Sequence, residues 1–355
     1  MKEREKTRKL LAEHYQRYPD LQIQDVFKFI YQSACGCEHL VSDVNEAVLR
    51  IRAEWESHTM ESGCRADALD GDYSRIHLSY LDEGLSAETL GKLFAASAKK
   101  EQNSLWKIQN KLSVARELVG ENALPFSPEE FDKAAEEWKE QGCPAIHHSN
   151  RFREAYRPAY RVIASRYAAF LPIFSKMDQL LQKGWAVVAI DGGSASGKTT
   201  LSEMLAAVYD CTVFHMDDFF LRPEQRTPER YAETGGNVDR ERFLEEVLIP
   251  LSRNEPVSYR KFDCATFTLG PPIEPDLKKL VIIEGAYSMH PELADYYDAS
   301  VFLDVAPELQ KKRIEKRNSP QLARRFFEEW IPLEAAYFSK MQVKARCDIL
   351  VAIDE

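Results

Sequence analysis

The chain has no run of 18 apolar residues, so no transmembrane helix is expected. Its first residues, MKEREKTRKLLAEHY, are charged and amphipathic and lack the apolar core of a signal peptide. Basic residues are in deficit: 47 Lys and Arg stand against 57 Asp and Glu, a net charge of −10. Neutralising a phosphate backbone needs basic surface, so nucleic acid is not an expected partner and any basic site must be local. The cysteines number seven, an odd count without a regular framework. They read as reduced thiols of a cytoplasmic protein. Cys35-Gly36-Cys37-Glu38-His39 is spaced loosely like a metal site, but no second pair completes four ligands. It reads as a helix end at Gly36 with buried thiols. Internal repeats and low-complexity segments are also missing.

A length of 355 residues suggests about two domains. Hydrophobic residues make up 44% and charged residues 29%, ordinary for a chain with a real core. The stretch WAVVAIDGGSASGKTTL organises the rest. Ala186 to Ile190 reads as a buried parallel strand. Gly192, Gly197, Lys198 and Thr199 satisfy G-x-x-x-x-G-K-[ST], and helix formers follow from Leu201 to Val208. Strand, glycine loop and helix are the order a phosphate-binding loop requires. Its N–H groups, over Gly192, Gly193, Ser194, Ala195, Ser196, Gly197, Lys198, Thr199 and Thr200, are expected to cradle the phosphates of a nucleotide. Lys198 is expected to reach the β- and γ-phosphates, and the Thr199 hydroxyl to bind Mg²⁺.

Cys211 to His215 reads as a second strand ending in Met216-Asp217-Asp218. Carboxylates at the carboxyl end of a parallel strand lie over the ligand crevice of an open α/β sheet. One is expected to orient or deprotonate a hydroxyl, the other to hold Mg²⁺ through water. Leu221 to Gly236 reads as a loop, Glu241 to Leu248 as a helix, and Gly270-Pro-Pro as a turn. Asp239 is placed to cap that helix or to hold a substrate hydroxyl. Tyr259 and Phe262 are candidates to stack on a substrate ring, with Asp263 pairing a polar group, or else to form plain core. Further strands are expected at Lys279–Ile283, Ala299–Val305 and Cys347–Ile353. Glu284 ends the first of these as another Mg²⁺ partner. Between the last two lies a basic helix, in which Arg313 and Arg317 share a face and suit a lid over a transferring phosphoryl group.

The first half reads as mainly helical: Lys2–Tyr18, Gln24–Ala34, Asp43–His58, Ser86–Lys100, 104–119, 128–141 and Arg166–Gln182, with one strand at Ser74–Tyr80. A helix after Ser149 would align Arg153, Tyr156, Arg157 and Tyr160. That face suits an anion or second ligand; the alternative is a docked helix with solvated arginines.

Taken in order, GGSASGKTT, MDDFF, NVDRERF, PVSYRKFD, IIEGAYS and FLDVAPELQKKRIEKR resemble the uridine kinase and phosphoribulokinase family of P-loop kinases, over about half the chain. The resemblance implies an ATP-dependent kinase using Mg²⁺. In it Asp217 is the general base, Asp239 contacts sugar hydroxyls, Glu284 assists Mg²⁺, and Arg313 and Arg317 meet the triphosphate. The acceptor it implies is a nucleoside such as uridine or cytidine. The run SYRKFDCATFTLG lacks the His and Arg that uridine kinases typically carry after Pro-x-Tyr. Kinases of another small alcohol, such as a sugar phosphate or pantothenate, therefore stay open, as does a nucleotide-dependent regulatory switch. A guanine-specific switch would carry N-K-x-D; Asn110-Lys111-Leu112-Ser113 lies upstream of the loop and lacks the Asp. The expected fold is α/β: a P-loop NTPase-type parallel sheet flanked by helices over 181–355, preceded by a mainly α-helical domain over 1–180. The expected partner is a small-molecule acceptor, with no membrane, and self-association into a homo-oligomer stays open.

Overall fold

The computed structural model describes residues 2–37, 43–57, 65–70, 72–98 and 104–354. The chain divides into two compact units, Met1–Leu171 and Pro172–Glu355.

In the first unit, helices Lys2–Arg17, Ile23–Cys35, Val44–Glu56, Ala87–Ser97, Ser104–Gly120 and Pro128–Glu140 accompany a small antiparallel sheet. The strands are β1 (Ala66–Ala68), β2 (Tyr73–His77) and β3 (Tyr160–Ala164), in that order across the sheet. Asp43, Ser86 and Ser127 cap their helices by accepting from the N–H three residues on. Phe27 stacks on Trp138 at 4.9 Å in the helical core. Cys35 and Cys37 are buried, as expected, while Glu38 and His39 lie outside the described residues.

Two expectations for this unit are corrected. The strand at Ser74–Tyr80 stops at His77, and Leu78–Glu83 form a 3₁₀ turn. The helix after Ser149 is only Asn150–Tyr156. Arg157 precedes Pro158, which disfavours the α region, and it takes a left-handed conformation at φ 41°. Tyr160 then lies on β3, opposite His77, so no helical face joins Arg153, Tyr156, Arg157 and Tyr160.

In the second unit, β4 (Ala186–Gly192), β5 (Cys211–His215), β8 (Leu280–Glu284), β9 (Ala299–Val305) and β10 (Ile349–Ile353) form a five-stranded parallel sheet. The order is β10-β9-β4-β8-β5, with the glycine-loop strand at the centre. β4 and β8 are buried along their whole length, which is why they read as unbroken apolar runs. Helices cover the sheet, including Lys198–Val208 and Pro307–Arg317. The helix Leu171–Lys183 also belongs here but for its first residue. Tyr209 fixes it by donating its hydroxyl to the Phe174 carbonyl and the Asp178 carboxylate, both at 3.0 Å.

The intervening hairpin β6 (Tyr259–Asp263) and β7 (Thr268–Ile273) corrects the reading of Gly270-Pro-Pro as a turn. The turn lies at 264–267, and the prolines sit in β7, where a two-stranded hairpin tolerates missing donors. Helical structure runs from Arg240 to Ser252, with a π turn at Leu244–Leu248. A second π turn at Phe326–Trp330 precedes the helix Ile331–Lys340. In both, a proline follows closely, Pro250 and Pro332. Proline has no N–H and its ring crowds the carbonyl four residues back, which a wider turn relieves.

Phe214 of β5 is fully buried in the core of this unit. Phe214→Ala is expected to destabilise the second unit by about 3–5 kcal/mol, read by denaturant unfolding of that unit.

Candidate active site

The carboxyl ends of β4, β5 and β8 lie side by side, because β8 pairs with both others in parallel register. His215 is opposite Glu284, and Ile190 is opposite Glu284 on the other side. This edge therefore gathers the glycine loop, Asp217 with Asp218, and Glu284.

The loop itself needs glycine at its start. Gly192 has φ 149°, and a Cβ there would stand 2.6 Å from the Leu303 carbonyl oxygen of β9. Lys198 begins the following helix and donates to the carbonyls of Gly192 and Gly193 at 2.9 and 3.1 Å. Thr199 donates its hydroxyl to Glu284 at 3.2 Å. The same Glu284 oxygen meets His215 Nδ1 at 2.5 Å, and this bond raises the His215 pKa. Asp217 is exposed at the strand end, yet crowding by the surrounding protein raises its carboxyl, against the opposing charge of Lys198; Glu284 and Asp218 push it further up. Lys198, Glu284 and Asp217 thus share one electrostatic neighbourhood. Thr200 and Thr199 are exposed at the loop's end, whereas Ser196 is buried.

Several expected residues are placed differently. Asp218 is drawn to Lys261, with Nζ at 3.0 Å, so its charge already has a partner. Asp239 is buried and caps the helix Arg240–Phe243, and its carboxylate is flanked by Arg242 and Arg222. Tyr259 is buried, stacked on Phe219 and edge-on to Phe214, so its ring belongs to the core. Asp263 is exposed and accepts from the Ala265 and Thr266 N–H groups of its own hairpin turn. Arg313 reaches the loop, donating to the carbonyls of Ala195 and Ser196 at 3.1 and 3.4 Å. Arg317, four residues on, is exposed and lies over the Phe326 ring.

Four residues at this loop escaped the sequence reading. Asp191, buried before the loop, accepts from the N–H groups of Gly192 and Met289 and from the Tyr337 hydroxyl. Burial pushes its carboxyl up to about 6. Gln310 donates to the Ser194 carbonyl at 2.8 Å. Glu334 accepts from the Ser194 N–H at 2.8 Å and from its hydroxyl at 2.6 Å. The only local hint is that Gln310 and Arg313, like Glu334 and Tyr337, are three apart on helices and so share a face. A cavity of about 560 Å³ in this unit is lined by Arg222, Arg230, Asp239, Arg242, Glu246 and Leu269 among others, with none of the glycine loop, Asp217 or Glu284 in its lining.

No family model matches this chain. Solved structures similar to it include a possible uridine kinase from Bacillus stearothermophilus, at 21% identity and TM-score 0.38. That match covers 51% of this chain and 99% of the other. A candidate fructose transport system kinase from Silicibacter sp. is 23% identical, covering 48% of this chain and 95% of the other, TM-score 0.38. Shikimate kinase from Bacteroides thetaiotaomicron is 19% identical, covering 48% and 88%, TM-score 0.28. No helix among the described residues is long and apolar enough to cross a membrane, and none of their acidic, His or Cys groups forms a metal-binding cluster.

The glycine at 192 provides a direct test. Gly192→Ala is expected to force β4 and β9 apart and cost roughly 1–3 kcal/mol, measured as a lower denaturation midpoint of the second unit.

Proposed function

We propose that the second unit is an ATP-dependent kinase that passes the γ-phosphoryl group to a hydroxyl of a small molecule. The observation that carries this is the meeting of Lys198, the Thr199–Glu284 pair and Asp217 at one sheet edge. The residues fit the groups this reaction needs. The loop is a cradle that a Cβ at Gly192 would fill, and its outward carbonyls are taken by Gln310 and Arg313, leaving N–H groups for an anion. Thr199 and Glu284 supply hard oxygens suited to Mg²⁺, which would neutralise phosphate charge when bound. Lys198 leaves its two carbonyls to meet phosphate oxygens. Asp217 orients the acceptor hydroxyl and takes its proton. His215 holds Glu284 in place through its Nδ1–H. Arg313 steadies the loop, and Arg317, on the same helix face, swings from Phe326 to the developing charge.

The acceptor follows the family likeness to a nucleoside such as uridine or cytidine. A second reading, another small alcohol such as a sugar or sugar phosphate, is favoured by the polar lining of the cavity and by Tyr259 being spent in the core. ATP turnover with panels of nucleosides, sugars and sugar phosphates decides between them. Slow hydrolysis indifferent to every acceptor would instead support a nucleotide switch.

Lys198→Ala is expected to abolish turnover while the fold survives. Asp217→Asn is expected to lower kcat by about 10²–10⁴-fold with nucleotide Kd nearly unchanged. Because the surrounding protein raises the Asp217 pKa and the base must be ionised, kcat should fall as pH drops through a value above the usual 3.8. That acid limb should vanish in Asp217→Asn, and a limb that persists there assigns the base elsewhere. Glu334 presents a carboxylate to the same loop that would hold phosphates. Glu334→Gln removes that charge and is expected to tighten nucleotide binding by roughly 3- to 10-fold in a Kd titration.

A further inference from the structure

Arg75 of β2 is one of the largest fully buried side chains, 1% exposed. Its Nε donates to Gln32 Oε1 at 2.9 Å, and Nη1 reaches His14 Nε2 at 3.4 Å. Nη2 is buried and has no hydrogen-bond partner among the described residues. No carboxylate among them forms an ion pair with this guanidinium. Two nearby acids are both engaged elsewhere: Asp67, directly opposite Arg75 on β1, by Arg17, Tyr18 and His77, and Asp25 by the N–H groups of Gln22 and Ser149, the Ser149 hydroxyl and His148 Nδ1. With Nδ1 donating, His148 Nε2 accepts the Tyr160 hydroxyl at 2.6 Å. The Tyr160 ring lies 4.8 Å from the Arg75 guanidinium carbon, and it covers the cation without neutralising it.

The neighbouring bases register that charge. Lys28 is lowered to about 8 and His77 to about 4, by burial first and by Arg75 next. His14 is also lowered, again by burial and then Arg75. A buried guanidinium with a free N–H edge and no carboxylate hydrogen-bonded to it is costly, and proteins ordinarily pair such a group directly. Lys28, His77 and Tyr160, around it, are each partly exposed.

We propose that Arg75 anchors a second ligand site, in the first unit, for the oxyanion group of a small molecule, a phosphate or a carboxylate. The anion accepts from the free Nη2–H and Nη1–H edge, the planar fork that suits these groups. Nothing in this proposal depends on the kinase reading of the second unit.

The test is calorimetric titration of the full chain carrying Lys198→Ala, which weakens the glycine loop's own hold on anions. The probes are inorganic phosphate and, separately, acetate. Saturable uptake of at least one is expected, and which one binds tells phosphate from carboxylate chemistry. Adding Arg75→Met should weaken that uptake about tenfold or more, since a charge-assisted bond in a buried site is lost. Gln32→Glu keeps the shape and gives Arg75 an internal carboxylate. It should weaken uptake similarly and raise the anion-free Tm, and it decides alone if Arg75→Met does not fold. No saturable uptake of either probe, or uptake retained in a variant that folds, overturns the proposal.

Discussion

The second unit depends on one buried carboxylate. Asp191, next to last in β4, binds its neighbour Gly192 at the start of the loop, the turn after β8 at Met289, and the helix Ile331–Lys340 through Tyr337. A carboxylate in so dry a place is stable only with both oxygens hydrogen-bonded, so each partner is constrained by the others. That constraint holds Gly192 at a φ no other residue tolerates well. The outer side of the loop is gripped by Gln310 and Arg313 through its carbonyls. With carbonyls engaged outward and the strand end pinned, the loop is held from both sides.

The parallel sheet and the glycine loop were legible because both are local. Buried strands such as AVVAI and LVII advertise themselves by unbroken apolar runs, and the loop by residues that must be contiguous to work. Glu284 and Asp217 were legible by the same logic, as acids at strand ends. Asp218, Asp239, Tyr259 and Asp263 were less so, because an acid or ring beside a site can be claimed by a neighbour distant in sequence. Lys261 claims Asp218, Arg222 and Arg242 flank Asp239, and Phe214 with Phe219 encloses Tyr259. Asp191, Gln310, Glu334 and Tyr337 were illegible because their roles exist only once three segments meet.

In the first unit the helices were legible from their caps and periodicity, but the sheet was only partly so. β1 is three residues long, and its alternation buries the polar Asp67 between two exposed alanines, the reverse of the usual strand signal. β3 was concealed by a helical spacing of Arg and Tyr that Pro158 interrupts. Once β3 is a strand, Tyr160 faces Arg75 and His148 instead of lining up with Tyr156. A single proline therefore converts what reads as a surface stripe into part of a buried polar cluster.

The two π turns have a consequence for how insertions and deletions are tolerated here. An α-helix advances about 100° per residue, so one extra residue accommodated in a wide turn sets the rotational phase between the helix before it and the helix after it. Between Pro320–Arg325 and Ile331–Lys340, that phase decides whether Glu334 and Tyr337 point at Ser194 and Asp191 while Arg324 and Arg325 stay in solvent. Losing one residue from Phe326–Trp330 would preserve composition, charge and helicity almost intact. It would nonetheless turn the downstream face by more than a quarter of a revolution, unlatching the loop from its two ties to that helix. At this point in the chain, length is specified more tightly than side-chain identity.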